Sequence, residues 1–192
     1  PMVNHFNHCI TYVPGGDDHD PLFLDGTAQY NGVAELPTSD RGAKVLIVTP
    51  DGAAIETIPW NVPEQFQFTE EVSIRVAKKR SASAHIRIEA RGDYASALRR
   101  YFEIPGQRTR NLERIYGARF AGVTVVGSSF SELSDLSAPV RFEVDLDIPN
   151  FVKVAPEGLS LVPPDDFFST NTAFDTVSSL KEREKDIVVG SP

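Results

Sequence analysis

The chain has 192 residues, of which 41% are hydrophobic and 24% charged, and its formal net charge is −8. This composition excludes a collagenous or intrinsically disordered protein, and the length suffices to bury roughly 70% of the unfolded surface without a disulfide or metal. A single cysteine excludes an internal disulfide and a multi-cysteine zinc finger, and no apolar run approaches the ~20 residues of a membrane-spanning helix.

Both ends of the chain have features of a fragment. Pro1 precedes Met2, although translation begins with Met, and a β-branched run at 187–189 lies just before the C-terminus. Such a run is typical of a strand. We therefore expect a piece of a longer protein, so the absence of a targeting signal says nothing about where the parent protein is located.

The first informative segment pairs a histidine with an aspartate. The sequence FNHCITYV at 6–13 predicts a strand that carries His8, and LFLDGT at 22–27 predicts a second strand that ends at Asp25. Adjacent antiparallel strands would place the two side chains next to each other. An aspartate that accepts from one imidazole nitrogen fixes the tautomer, and the other nitrogen is then free to deprotonate a nucleophile.

These two strands resemble the end of the transglutaminase-like cysteine hydrolase core, which uses Cys-His-Asp chemistry. The stretch AQYNGVAELPTSDRGAKVLIV at 28–48 is similar to the segment after the aspartate in large bacterial proteins of this group, and KEREKDIVVGSP at 181–192 to their appended β domain. The resemblance implies acyl transfer or amide hydrolysis through a cysteine thioester, with His8 as general base and Asp25 as the residue that orients it.

The chain departs from this family in one important respect. The family's nucleophilic cysteine lies on a helix upstream of the histidine, where only residues 1–7 are present here. Cys9 does not replace it, because neighbouring residues of a strand point to opposite faces; we interpret Cys9 as a small buried hydrophobe. Gly26 also differs from the Pro or Ala that relatives often have there.

The resemblance also carries expectations about the parent enzyme. We expect the chain alone to be inactive, without a cofactor, and the parent to act on a protein or peptide substrate. Many bacterial relatives are exported, which implies the periplasm or the cell surface.

The next elements are predicted to be antiparallel hairpins. Residues 45–48 and 55–58 flank Pro50-Asp51-Gly52, a turn in which Pro presets φ and Gly tolerates positive φ. Alternation of apolar and polar residues over 66–76, interrupted at Glu70, and over 83–91 predicts a longer, half-buried hairpin.

Helices and further strands come next in the chain. Asp93 is a candidate N-cap for a helix whose apolar residues lie at i, i+4, i+7 and i+8. The remaining predictions are a short helix around 112–116, a strand at 120–126, a Ser-rich loop at 128–137, a strand at 140–148 and an irregular segment at 156–166.

Together these elements predict a mostly-β fold with an antiparallel β-sandwich and a small helical insertion, preceded by the terminal strands of a transglutaminase-like α+β core. Pro59 and Pro63 bracket a boundary. We therefore assign residues 1–60 to the end of the core and residues 61–192 to the C-terminal β-sandwich.

Alternatives remain open. A non-catalytic β-sandwich could bind protein or glycan through its polar strand faces or the 128–137 loop, with His8 and Asp25 structural. No metal site is predicted, because His5 and His8 face opposite ways on a strand and residues 17–20 lack the spacing of a calcium loop.

The charge is distributed unevenly along the chain. Residues 75–119 contain twelve basic and four acidic side chains, a net charge of +8, and the remainder carries −16. A basic centre can bind a polyanion, but the acidic remainder would repel one. We therefore expect the stretch either to dock against the chain's own acidic parts or to be simply solvated, and we expect no nucleic-acid partner; the oligomeric state stays open.

Overall fold

The computed structural model of the chain describes residues 6–33, 35–60, 65–77, 80–156, 158–160 and 168. It contains short strands at the N-terminal end, a four-stranded sheet and two helices. The elements are β1 (Thr11–Val13), β2 (Leu22–Leu24), β3 (Lys44–Thr49), β4 (Gly52–Thr57), β5 (Phe68–Val76), β6 (Ala82–Ala90), α1 (Asp93–Tyr101), a 3₁₀ turn (Pro105–Gln107), α2 (Arg108–Gly117), β7 (Thr124–Phe130), β8 (Val140–Ile148), β9 (Lys153–Ala155) and β10 (Gly158–Ser160).

The central element is an antiparallel sheet with the strand order β5-β6-β8-β7. Its strands pair as the alternation predicts, with Phe68 opposite Ala90 and Ala90 opposite Val140. Successive residues of β8 are alternately buried and exposed along the whole strand. A two-residue period therefore gives the sheet one apolar face and one polar face.

The apolar face is covered by the two helices. Phe102, which directly follows α1, is fully buried, and its ring lies 5.5 Å from that of Phe142 on β8. Leu112 and Tyr116 of α2 are buried in the same cluster. The predicted mostly-β fold with antiparallel sheets and a small helical insertion is confirmed. Among the described residues, however, helices cover this face where we expected a second sheet, because both helices present apolar stripes to it.

The N-terminal strands form a separate small cluster. β1 pairs with β2 and β3 with β4, both antiparallel. The buried members of this cluster are Phe23, Leu36, Ile47 and Ile58. All of them precede residues 61–64, which lie outside the described part of the chain. The residues of the larger cluster, between the central sheet and the helices, all come after that segment. The division at residue 60 remains a prediction with which this grouping agrees.

A buried ion pair joins the two clusters. The side chain of Arg41 is 0% exposed, and its guanidinium donates to both carboxylate oxygens of Asp93 at 2.8 and 2.6 Å. The prediction that Asp93 caps α1 is wrong. Gly92 is the N-cap, with φ of +59°, and Asp93 is the first helical residue. Its carboxylate is held by Arg41 and by the Thr38 hydroxyl at 2.7 Å instead of by the helix.

Two further predictions are settled only in part. The loop predicted at 128–137 is wrong at its start, because Ser128 pairs with Val144 within β7 and β8. The irregular segment at 156–166 is described only at 156 and 158–160, where β9 and β10 form a hairpin. The run at 187–189 lies outside the described residues.

Candidate functional site

His8 and Asp25 lie together at one end of the first hairpin. In β1 and β2, Thr11 pairs with Leu24, so Asp25 directly follows the paired residues. His8 precedes the strand, contrary to its predicted place on it, because pairing begins only at Thr11. The structure nevertheless places His8 Nε2 3.2 Å from Asp25 Oδ1.

The Asp25 carboxylate is fixed by its own turn. The Thr27 backbone N–H donates to Oδ1 at 2.9 Å, and the Thr27 hydroxyl lies 2.8 and 3.0 Å from the two oxygens. The side chain is only 4% exposed. Burial acts to raise the pKa of Asp25, but the hydrogen bonds from Thr27 and His8 outweigh it and hold the pKa below the usual value for an aspartate. Asp25 is thus an ionised acceptor.

Because an ionised carboxylate can only accept, a neutral His8 must carry its proton on Nε2, the nitrogen that faces Asp25. Its Nδ1 then has a free lone pair. The His8 side chain is 39% exposed, so solvent and small molecules reach the imidazole. The geometry is that of a base held in one tautomer.

The pair borders a cleft of about 690 Å³. One wall is formed by the segment after β2 and the other by α1. This volume lies within the range of small-molecule and peptide pockets. The polar side chains that line it are Asn7, His8, Asp25, Thr27, Gln29, Tyr30, Asn31, Thr38, Ser39, Asp40, Asp93, Ser96 and Arg100.

Sequence reasoning missed Asp40. One oxygen atom from its carboxylate, one from Asp25 and one His8 nitrogen all lie within 4.8 Å of one another. Ser39 donates to Asp40 Oδ1 at 3.0 Å, whereas Oδ2 is buried and has no hydrogen-bond partner among the described residues. The sequence feature that could have drawn attention to Asp40 is its neighbour Arg41. The two charged residues lie together just before β3, and Arg41 forms the ion pair with Asp93.

Tyr30 and Arg100 lie on the two facing walls of the cleft, Tyr30 in the segment after β2 and Arg100 on α1. The Arg100 guanidinium lies 5.6 Å from the centre of the Tyr30 ring, and the Tyr30 hydroxyl donates to Glu103 at 2.9 Å. The Tyr30 carbonyl accepts from Arg99 at 3.2 Å. These contacts connect the loop after Asp25 to α1, so the two walls are held at a fixed separation.

Cys9 is not part of the cluster of ligand-type atoms around His8 in the described chain. The interpretation of Cys9 as a buried hydrophobe is wrong: it is a free, exposed cysteine. The residue precedes β1, so no strand pairing turns its side chain towards the N-terminal cluster.

The polar face of the sheet is occupied by ion pairs within the chain. Arg87 lies between its cross-strand neighbours Glu71 and Glu143, at 3.7 and 3.0 Å. His85 Nδ1 lies 2.8 Å from Asp145. Such cross-strand pairs satisfy the charges of one strand with those of the next.

Other arginines of the basic stretch also find acceptors within the chain. Arg99 is buried and donates to the Ala138 carbonyl at 2.6 Å, and Arg108 donates to that of Phe102 at 2.8 Å. Both acceptors are backbone carbonyls, whereas we expected acidic side chains as the partners of this stretch. The absence of a nucleic-acid partner stays a prediction.

No protein-family model, curated protein or solved structure matches the chain. None of the described helices has the length and apolar character needed to cross a membrane.

Proposed function

We propose that this chain supplies the general base and its orienting carboxylate to a transglutaminase-like cysteine hydrolase or acyltransferase. The nucleophilic cysteine would come from a segment outside this sequence. The observation that supports the proposal is the contact of 3.2 Å between His8 Nε2 and the buried Asp25 carboxylate, at the edge of an open cleft. The resemblance of 6–48 to the family's His and Asp strands agrees with it.

The reaction depends on the free Nδ1 of His8. This nitrogen takes the proton of the cysteine thiol, and the sulfur attacks an amide carbonyl carbon. The C–N bond breaks, the imidazolium returns its proton to the departing amine, and a thioester remains. Water or a second amine then attacks; its proton passes through Nδ1 to the sulfur as the C–S bond breaks. Asp25 is a positioning residue, since it acts only through His8.

The test uses a longer protein that also contains the segment with the nucleophilic cysteine. The protein is kept in a buffer that contains a chelator. The assays are hydrolysis of a glutamine peptide and incorporation of a fluorescent primary amine. His8→Ala should lower kcat/KM by about 10²–10⁴-fold, the usual contribution of a general base. Alkylation of the nucleophilic cysteine by iodoacetamide should slow in the same variant, because the thiolate loses its imidazolium partner.

The matched control is Asp18→Asn. Asp18 lies 3.8 Å from His19 on an exposed loop, so it repeats the residue types of the His8–Asp25 pair away from the cleft. It should leave both rates unchanged. Full activity in His8→Ala, or the absence of any cysteine whose alkylation depends on His8, would refute the proposal.

A second candidate is a non-catalytic module that binds a protein or glycan in the cleft. The cleft volume of about 690 Å³ favours it, since such a space can hold a ligand without any chemistry. Under this alternative, the longer protein binds a peptide or glycan but neither hydrolyses the glutamine peptide nor forms a thioester.

A further inference from the structure

Three side chains of metal-ligating type meet at the cleft, although they are far apart in the sequence. His8 precedes β1, Asp25 follows β2, and Asp40 precedes β3. Their ligand atoms lie within 4.8 Å of one another. Donors on a tetrahedral zinc ion, with bonds of about 2.0–2.2 Å, lie about 3.3–3.6 Å apart. The His8–Asp25 contact of 3.2 Å is close to that separation, and Asp40 lies near enough to supply a third donor.

The charge balance of the cluster also favours a cation. Asp25 and Asp40 place two carboxylates side by side, and a neutral imidazole compensates neither. Asp40 Oδ2 is buried without a hydrogen-bond partner in the described part of the chain. The nearby Arg41 is committed to Asp93 and the Leu36 carbonyl. A buried carboxylate oxygen with no donor is costly, and a bound cation would remove that cost.

We propose that His8, Asp25 and Asp40 form a binding site for a divalent cation of the zinc type. An imidazole nitrogen with two carboxylates suits zinc, whereas calcium and magnesium prefer shells made only of oxygen. Three protein ligands leave the fourth position open towards the cleft. The Thr27 hydrogen bonds to Asp25 would then orient a ligand, as outer-shell partners do at metal sites.

Cation binding at this site is separate from the proposed acyl transfer, and a bound cation would inhibit that reaction. A cation on Nε2 moves the imidazole proton to Nδ1, and a protonated Nδ1 cannot accept a proton from a thiol. The zinc-loaded protein would therefore be inactive in acyl transfer, and removal of zinc would restore the base.

The test is calorimetric titration of this chain with zinc chloride after treatment with chelator. We expect one ion per chain, with an affinity that falls at least ~10-fold in Asp40→Asn and in His8→Ala. Asp18→Asn is the matched control and should retain the wild-type affinity. Circular dichroism without metal should be the same for all four proteins. The His8 side chain is 39% exposed and lies outside the core, so its variant remains informative if Asp40→Asn misfolds.

A second readout follows the proton. The imidazole ¹⁵N resonances of His8 should report Nε2–H without metal and Nδ1–H with zinc. Equal zinc affinity in the wild type, Asp40→Asn and His8→Ala, or loss of binding in Asp18→Asn, would overturn the site. Because this titration needs no nucleophile, its failure leaves the acyl-transfer proposal standing, and the reverse also holds.

Discussion

Replacement of Asp93 by Asn tests how much the buried ion pair with Arg41 contributes to the free energy of unfolding. The Arg41 guanidinium is fully buried and donates to both Asp93 oxygens. It also donates to the Leu36 carbonyl at 2.9 Å and lies 4.3 Å from the centre of the Phe66 ring. Asparagine keeps the size of Asp93 but offers an NH₂ group in place of one acceptor. Arg41 would then be a buried cation without an anion.

The magnitude depends on the burial of each partner. Breaking a buried ion pair costs about 3–5 kcal/mol of unfolding free energy. Since the Asp93 side chain is 34% exposed, water can reach the altered group, and we expect the lower end of that range. For a chain of this length, about 3 kcal/mol corresponds to a fall in Tm of about 6–12 °C.

Glu89→Gln provides the matched comparison. Glu89 contacts Arg141 at 2.8 Å and Arg91 at 2.9 Å, but its side chain is 37% exposed, and both arginines are more exposed still. Exposed pairs contribute less than about 1 kcal/mol. The two substitutions thus make the same chemical change and differ mainly in the burial of the arginine.

Urea denaturation followed by circular dichroism at neutral pH measures both losses. The double variant with Arg41→Met should lose less stability than the sum of its single variants, because Asp93→Asn then strands no buried cation. Equal losses in Asp93→Asn and Glu89→Gln, or strict additivity in the double variant, would refute the reasoning.

Three further predictions can be checked with the same methods or with the acyl-transfer assay. Gly92→Ala should destabilise the chain, since φ is +59° and an added Cβ would lie 2.5 Å from a Phe66 ring carbon; Gly117→Ala, in open space at the end of α2, should be neutral or stabilising by up to about 1 kcal/mol. Phe102→Ala should cost about 3–5 kcal/mol in urea, and Val126→Ala, at a side chain 70% exposed, less than about 0.5. Micromolar zinc should inhibit acyl transfer by the longer protein, and chelator should restore it; inhibition that persists in Asp40→Asn would contradict the shared site.

Periodicity made the sheet predictable. The apolar residues of β8 and β6 alternate without interruption, and each faces the core. The apolar spacing of α1 likewise predicts a helix. Of the four residues in that stripe, Leu98 and Phe102 are buried, whereas Tyr94 and Tyr101 are exposed. These patterns are local, so the sequence contains all that is needed to recognise them.

The contacts between distant segments were not predictable in this way. Asp93 at a helix start is typical of a cap, and only the approach of Arg41, from 52 positions away, diverts its carboxylate. For a related reason, we predicted a second sheet over the apolar face of the central sheet, where the structure has two helices. An apolar sheet face indicates that something covers it but does not say which kind of element does so.

Asp40 and Arg41 are adjacent in the chain, and this links the chemistry of the cleft to its stability. Arg41 is held by Asp93 on α1, while Asp40 lies beside His8 and Asp25 at the cleft. A cation that binds Asp40 in the folded state must stabilise that state by linkage. Zinc should therefore raise the Tm of the wild type. Loss of the ion pair in Asp93→Asn should reduce that rise by weakening the hold on residues 40–41, although Asp93 is not among the proposed ligands. An equal rise in both proteins would show that the ion pair holds the clusters together without positioning Asp40.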